Sequence, residues 1–302
     1  MRHGKYPFVI GFLIAPVALY SVFVLSPYVQ TIRLSFTSWR GFAPPKNIGI
    51  DNYRRMMHDH RFWQALTHHG ILLVALPLIT IAIALVFAFL LNVAGRSRGG
   101  ALRGVWGSKF YRVVFFLPQV LAISIIGVLF QTVYRPNESG LINGMLMKAG
   151  AKPIGFMIDP KLALPSLIGV LVWQAVGFYV VLFSAGMGSI ANEIYEAAAL
   201  DGATRVTLFF RITVPLLWST IQVAWVYLGI AAFDAFALVN IMSVDRGGPD
   251  GATSVISLMI YRNAFEYSQA GYASALGVVL FFLTLTFAAL TLRVTRRDAI
   301  EG

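Results

Sequence analysis

The chain has 302 residues, 58% of them hydrophobic and only 12% charged, with a mean hydropathy of +0.73. An apolar share so far above that of ordinary soluble domains excludes a globular soluble protein and points to an integral membrane domain. The absence of cysteine excludes disulfides, thiolate metal sites and thiol nucleophiles, and the net charge of +11 sits in loops beside apolar runs, where membrane lipid headgroups account for it and no nucleic-acid partner is expected.

Uncharged runs of about 20 residues, the length that crosses a bilayer as a helix, predict an all-α, polytopic membrane protein with six transmembrane helices in a single domain, 1–302. The first, 7–29, is too long for a signal-peptide core and has no clean small-x-small cleavage site, so it is expected to be retained. The segment from Arg33 to His69 follows, with turn formers at Ala43-Pro-Pro45 and with Trp39, Tyr53, Phe62 and Trp63 suited to a membrane interface. Spans at 70–94 and 113–134 flank a short basic loop, and a cap from Arg135 to Lys161 leads to the fourth span, 162–187. A polar segment, 188–213, separates this from the fifth span, 214–239; a last cap, Val244 to Gln269, precedes the sixth, 270–292.

An even number of spans places both ends on one side. Lys plus Arg divide equally between the two sets of loops, but Arg96, Arg98, Arg103, Lys109 and Arg112 crowd into one short loop. That density, against the spread of Arg33 to Arg61, leans toward cytoplasmic termini, the side on which Arg2, Arg296 and Arg297 are already counted.

The apolar runs hold no Lys, Arg or Glu, and Asp234 is their only acid. Ion-coupled carriers need titrating or ion-binding groups within the membrane. Asp234 follows Pro215 by 19 residues, about 28 Å of straight helix at ~1.5 Å per residue, so an interfacial or helix-end acid and a coupling residue both remain open. No nucleotide site is visible, since Gly100-Ala-Leu-Arg-Gly104-Val-Trp-Gly-Ser-Lys109 lacks the Gly-Lys-Ser/Thr ending of a phosphate loop. His58-Asp59-His60 and His68-His69 show no third convergent ligand and no zinc spacing, so no metal, no cofactor and no catalytic residue is expected.

The run from Glu196 to Pro215 is the most informative polar segment. Asn192 is suited to cap a helix, Glu193 and Glu196 place negative charge in its first turns, and Gly202 is suited to end it in a left-handed turn. Ala197, Ala198 and Ala199 let a partner's backbone come close. A second short helix with Arg205, Phe209, Phe210, Arg211 and Ile212 leads to Pro215, which is expected to open the fifth span. By chemistry alone, a docked helix and an amphipathic connector lying on the membrane fit equally.

Glu196-Ala-Ala198, Asp201-Gly-Ala203, Phe209, Ile212 and Pro215 resemble the EAA loop of permease subunits in binding-protein-dependent ABC importers. Ser35-Phe-Thr37, Gly49-Ile-Asp-Asn-Tyr53, Phe62-Trp63, Phe116-Leu-Pro118, Gly140-Leu-Ile-Asn143, Phe233-Asp234 and Gly247-Gly-Pro249 resemble the carbohydrate branch, that of the maltose and glycerol-phosphate permeases. The Thr usual before Gly-Gly-Pro is replaced within Ser243-Val-Asp-Arg246. Met1 to Tyr6 and Phe209 to Trp218 are similar to actinobacterial permeases for N-acetylglucosamine and its chitobiose dimer.

The resemblance implies the ABC importer permease (MetI-like) fold in the cell membrane. The implied partners are a second permease subunit, two ATP-binding subunits that hydrolyse ATP in its stead, and an extracytoplasmic solute-binding protein. It implies coupling to the ATPase through Glu196, Ala197, Ala198, Asp201, Gly202, Ala203, Phe209, Arg211 and Pro215, and a loop so gripped faces the cytoplasm. A neutral saccharide needs aromatic faces and hydroxyl-matching groups, for which Gln131, Trp173, Gln174, Tyr179, Tyr227, Asp234 and Asn240 are candidates; interface anchoring and helix pairing explain the same residue types. A permease for another sugar or for amino acids or peptides, and an ion-coupled secondary transporter, are the alternative functions.

Overall fold

The computed structural model describes residues 5–41, 44–93 and 107–295. Arg2, Arg96, Arg98, Arg103, Arg296 and Arg297 lie outside them, as do Ala43, the end of the second expected span at Ala94, and Gly100 to Trp106 of the segment compared with a phosphate loop. The described residues form fifteen α-helices joined by short π and 3-10 turns, and one isolated bridge, Thr37 to Asn47, replaces any strand among them.

In chain order, α1 (Lys5–Tyr20) passes through a π turn into α2 (Ser26–Ser35), followed by α3 (Asp51–His58) and α4 (His60–Asn92). Then come α5 (Ser108–Val120), α6 (Ile123–Val133), α7 (Leu141–Lys148) and α8 (Pro160–Gly188). The polar segment holds α9 (Asn192–Leu200) and α10 (Arg205–Thr207), which continues through a π turn into α11 (Val214–Leu216). The chain ends with α12 (Trp218–Phe233), α13 (Phe236–Met242), α14 (Ile256–Tyr261) and α15 (Ala270–Thr295).

Four helical segments, Gly11–Ser35, His60–Asn92, Pro160–Gly188 and Ala270–Thr291, are long and apolar enough to cross a membrane. Two bent pairs raise the number of spans to six if each pair is one. The third expected span is one of them: α5 and α6 meet at 97°, and Leu121 and Ala122 between them are extended. The fifth is the other: the helix from Arg205 to Leu216 meets α12 at 72°. Pro215 therefore lies in the segment before the bend, and α12 runs from Trp218 to Phe233, ending six residues before position 239.

The helix that carries the second expected span starts at His60, ten residues before Gly70. Its 33 residues extend about 50 Å, well beyond a hydrocarbon core of about 30 Å. The polar first turns His60 to His69 are helical but cannot be recognised from an apolar run.

The chain divides into two compact units, residues 1–63 with 256–283 and residues 64–255 with 284–302. In the first, Asn52 is buried and its Nδ2 donates to the carbonyls of Ser35 (2.8 Å) and Thr37 (2.9 Å), while Tyr53 Oη donates to Ser35 Oγ (2.7 Å). Gly271 is required here, because a Cβ would stand 2.0 Å from the Thr37 carbonyl oxygen. Tyr272 donates to Asp59 (2.9 Å) under the Arg55 guanidinium, 4.3 Å from its ring. Phe62, expected at the interface, is instead only 3% exposed, whereas Trp63 is exposed.

In the second unit α8 is the central helix. Its Gly177 lets the backbone of α5 approach so closely that a Cβ would stand 1.7 Å from the Phe115 carbonyl oxygen, the small-residue packing by which membrane helices associate when water supplies no driving force. Asn143 is fully buried and organises the cap after α6: its Nδ2 donates to the carbonyls of Arg135 and Ile154, and its Oδ1 accepts from the Ile154 amide at 2.7 Å. Among the described residues no three His, Asp or Glu converge as metal ligands; His58 and His68 contact the carbonyls of Arg54 and Ser254 instead.

Candidate functional site

The polar segment folds as a projecting helix fastened at both ends. Ala191, not Asn192, occupies the N-cap position of α9 and offers no side-chain cap; Asn192 is already inside the helix, with Glu193 in its first turn. At the other end Gly202 has φ +80°, its amide donates to the Ala199 carbonyl (3.1 Å), and the Ala203 amide donates to Ala198 (2.9 Å). These two bonds form a Schellman cap, and the positive φ explains the glycine. Thr204 then caps α10 through its hydroxyl, which accepts from the Thr207 amide.

One buried contact locks the two halves together. Tyr195, 3% exposed, meets the hydroxyl of the buried Thr213 at 3.1 Å, and Thr213 Oγ1 donates to the Leu208 carbonyl at 3.0 Å. Burial raises the Tyr195 hydroxyl above the usual tyrosine pKa, and the Thr213 bond opposes that rise. Phe209 packs edge-on against Phe89 of α4, with ring centroids 5.2 Å apart, so it secures the segment to the bundle. Nearby, Asn92 at the end of α4 donates to Ser184 Oγ of α8 (2.9 Å) and accepts from Arg112 of α5, tying three helices at the end that carries α9.

Several side chains of the segment are left exposed. Leu200 is 90% exposed, and Ile194, Val206 and Phe210 are exposed as well. Glu193, Ala197, Asp201, Gly202, Arg205, Arg211 and Pro215 are also exposed, while Glu196, Ala198 and Ala203 are half-buried. The exposed acids, Glu193 and Asp201, belong to α9 and its C-cap, and the exposed cations, Arg205 and Arg211, follow them. Sequence reasoning passed over Leu200, which reads as an ordinary helix former, and the Tyr195–Thr213 clasp, whose partners stand 18 positions apart with no periodic signal between them.

The saccharide candidates gather only in part. Trp173 of α8 packs edge-on against Phe130 (5.1 Å), the next residue Gln131 donates through Nε2 to the Ile241 carbonyl, and the buried Oδ1 of Asn240 has no hydrogen-bond partner among the described residues. Three of the candidates thus share one region of α6, α8 and α13. Gln174 is half-buried, and Tyr179 is buried among Phe178 and Phe183, about 9 Å further along α8 than Trp173. Tyr227 is exposed, and so is Asp234, which caps the end of α12. The bend before α12 removes the straight 28 Å path from Pro215, and the position of Asp234 at a helix end comes from the break after Phe233. Gly247-Gly-Pro249 forms a turn in which Gly248 has φ +77° and the Thr253 amide donates to the Gly247 carbonyl (2.8 Å).

Residues 56–297 match the family described as "Binding-protein-dependent transport system inner membrane component". Across 300 residues the chain is 41% identical to the diacetylchitobiose uptake system permease protein NgcF of Streptomyces coelicolor, covering 98% of this chain and 84% of that one. It is 30% identical over 295 residues to the multiple sugar-binding transport system permease protein MsmF of Streptococcus mutans, covering 95% and 94%. A crystallised chain of a bacterial ABC transporter involved in the import of the acidic polysaccharide alginate superposes with a TM-score of 0.78 at 25% identity, covering 98% of this chain and 97% of that chain. The near-complete coverage, the apolar helices and the all-helical fold agree, and the chain belongs to the inner membrane components of binding-protein-dependent transport systems, with the MetI-like ABC permease fold.

Proposed function

We propose that the chain is the permease subunit of an ATP-driven importer of a sugar or oligosaccharide of the N-acetylglucosamine and chitobiose type. ATP is hydrolysed on a separate pair of subunits, a second permease subunit completes the pathway, and an extracytoplasmic solute-binding protein delivers the sugar. The similarity to the diacetylchitobiose permease supports the substrate class, and the family's dependence on a binding protein supports that partner.

The observation that carries the reading is the rigid α9 projection, clasped by Tyr195 and Thr213, capped at Gly202 and presenting Leu200 to a partner. A lid or lipid-lying connector needs no such double fastening. Docked in a cleft of the ATPase, α9 transmits closure of the ATPase dimer to α8 and α12 as a rigid-body movement. Both termini then lie on the cytoplasmic side, and 1–302 acts as one transmembrane domain. On the transport path, Asn240 and Gln131 offer amides and Trp173 a ring face for a saccharide.

In the complex reconstituted with its ATPase and binding protein, Gly202→Asp is expected to abolish sugar-stimulated ATP hydrolysis while the subunit still inserts and assembles. Unchanged stimulation would remove α9 from the coupling path. Asn240→Ala, compared with Asp234→Ala at matched expression, then reports which of the two touches the sugar: a contact raises the KM for transport and leaves the basal ATPase rate untouched.

A further inference from the structure

The polar turns His60 to His69 at the start of α4, with their His68-His69 pair, have no part in the sugar path or in α9. Three of their side chains each donate to a backbone carbonyl of the chain from the end of α12 to the start of α14. Gln64 Nε2 donates to the Asp250 carbonyl (2.9 Å) and His68 Nδ1 to the Ser254 carbonyl (2.8 Å). Four positions apart, these two share one face of α4. His69, only 1% exposed, donates to the Ala232 carbonyl, and its ring centroid lies 5.4 Å from that of Phe233. The three acceptors lie where helical pairing runs out. α12 ends at Phe233, which leaves Ala232 among the terminal carbonyls that a helix does not pair; Asp250 has φ +53°, and Ser254 precedes α14. Such carbonyls need donors from elsewhere, and a Leu or Phe would fill the same space without supplying one.

Between the first acceptor and the other two lies α13, the short helix that carries Asn240. On α6, Gln131 donates to the Ile241 carbonyl of α13, and Gly127 lets the two helices come so close that a Cβ would stand 2.6 Å from Ile241 Cγ2. Just past α13, the buried hydroxyls of Ser243 and Thr253 meet at 2.6 Å and close the base of the cap whose carbonyls Gln64 and His68 hold. α4 therefore grips the chain on both sides of α13, before it at Ala232 and after it at Asp250 and Ser254. The helix between these points is left little freedom to slide along α6.

We propose that Gln64, His68 and His69 are positioning residues that clamp α13, and with it Asn240, in register against α6. The clamp stands on these contacts alone; its effect on sugar affinity rests on the proposed sugar contact at Asn240. The full importer complex in nanodiscs provides the test. Because the chain has no cysteine, Gly127→Cys combined with Ile241→Cys reports the register: a Cβ at 127 stands 3.0 Å from that of Ile241, within disulfide reach. His68→Leu and His69→Leu are expected to slow this intramolecular cross-link. In the cysteine-free protein they are expected to raise the KM for diacetylchitobiose transport at least about 2-fold, the loss of one hydrogen bond, with the maximal rate kept. His68→Asn and His69→Gln, which return an amide donor, are expected to restore both. Should the buried His69→Leu variant fail to assemble, the half-buried His68→Leu carries the same test. Cross-linking at the wild-type rate in the assembled Leu variants, or no restoration by Asn and Gln, would overturn the clamp. A slower cross-link with an unchanged KM keeps the clamp and removes Asn240 from the sugar path.

Discussion

In the coupling proposed for α9, the clasp between Tyr195 and Thr213 is the contact on which transmission depends most directly. Tyr195→Phe keeps the buried ring and removes only the 3.1 Å hydroxyl contact; Thr213 retains its bond to the Leu208 carbonyl, so no buried donor is orphaned. The loss is one hydrogen bond, about 0.5–1.5 kcal/mol, which raises the population of unclasped α9 about 2- to 13-fold. Tyr195→Ala removes the ring from a site only 3% exposed and costs about 3–5 kcal/mol, more than 100-fold. Sugar-stimulated ATP hydrolysis by the reconstituted complex should therefore fall slightly with Phe and nearly vanish with Ala, while basal hydrolysis persists. Because the folded pKa of Tyr195 is raised, the contribution of its protonated hydroxyl is fully present below the usual tyrosine value of about 10 and is lost only as pH climbs through the higher folded value; the effect should be flat across neutral pH. An Ala variant that assembles normally and couples at the wild-type rate would refute the clasp as a coupling element.

Two further substitutions test the packing. Gly177→Ala forces a Cβ onto the Phe115 carbonyl and should cost at least about 2 kcal/mol, seen as a lower midpoint in thermal size-exclusion of the detergent complex. Gly169→Ala, on the same helix, meets only the Tyr134 hydroxyl at 3.8 Å, and a midpoint as low as that of Gly177→Ala would contradict the close-approach argument. Asn143→Ala deletes the three bonds that hold the cap between α6 and α8, about 2–4 kcal/mol at about 1 kcal/mol each. Limited proteolysis should then cut between Arg135 and Ile154 faster than in the wild type; an unchanged rate would show that the cap is held by other contacts.

The polar residues that make the signature sequences recognisable prove to be scaffold in several cases. Asn52 and Tyr53 fasten their segment to Ser35 and Thr37, and Asn143 fastens its own cap. A single sequence shows that such a residue is polar in an apolar chain, but its hydrogen-bond partner lies 8 to 18 positions away, and no periodicity reports that distance. Phe209, implied in coupling by the resemblance, packs on Phe89 while staying half-buried, and Leu200 carries the exposure.

Hydropathy by itself determined the membrane location and the apolar runs, because crossing a bilayer demands a long uncharged helix whatever its neighbours are. Local chemistry was equally sufficient for the turn at Gly202, where the backbone conformation needs glycine irrespective of packing. Tertiary structure alone decided the 97° and 72° bends and the packing of Phe209 on Phe89. Each depends on which distant helix fills the space beside a residue, and the same apolar side chain serves equally well against lipid, a neighbour or a ligand until that neighbour is in place.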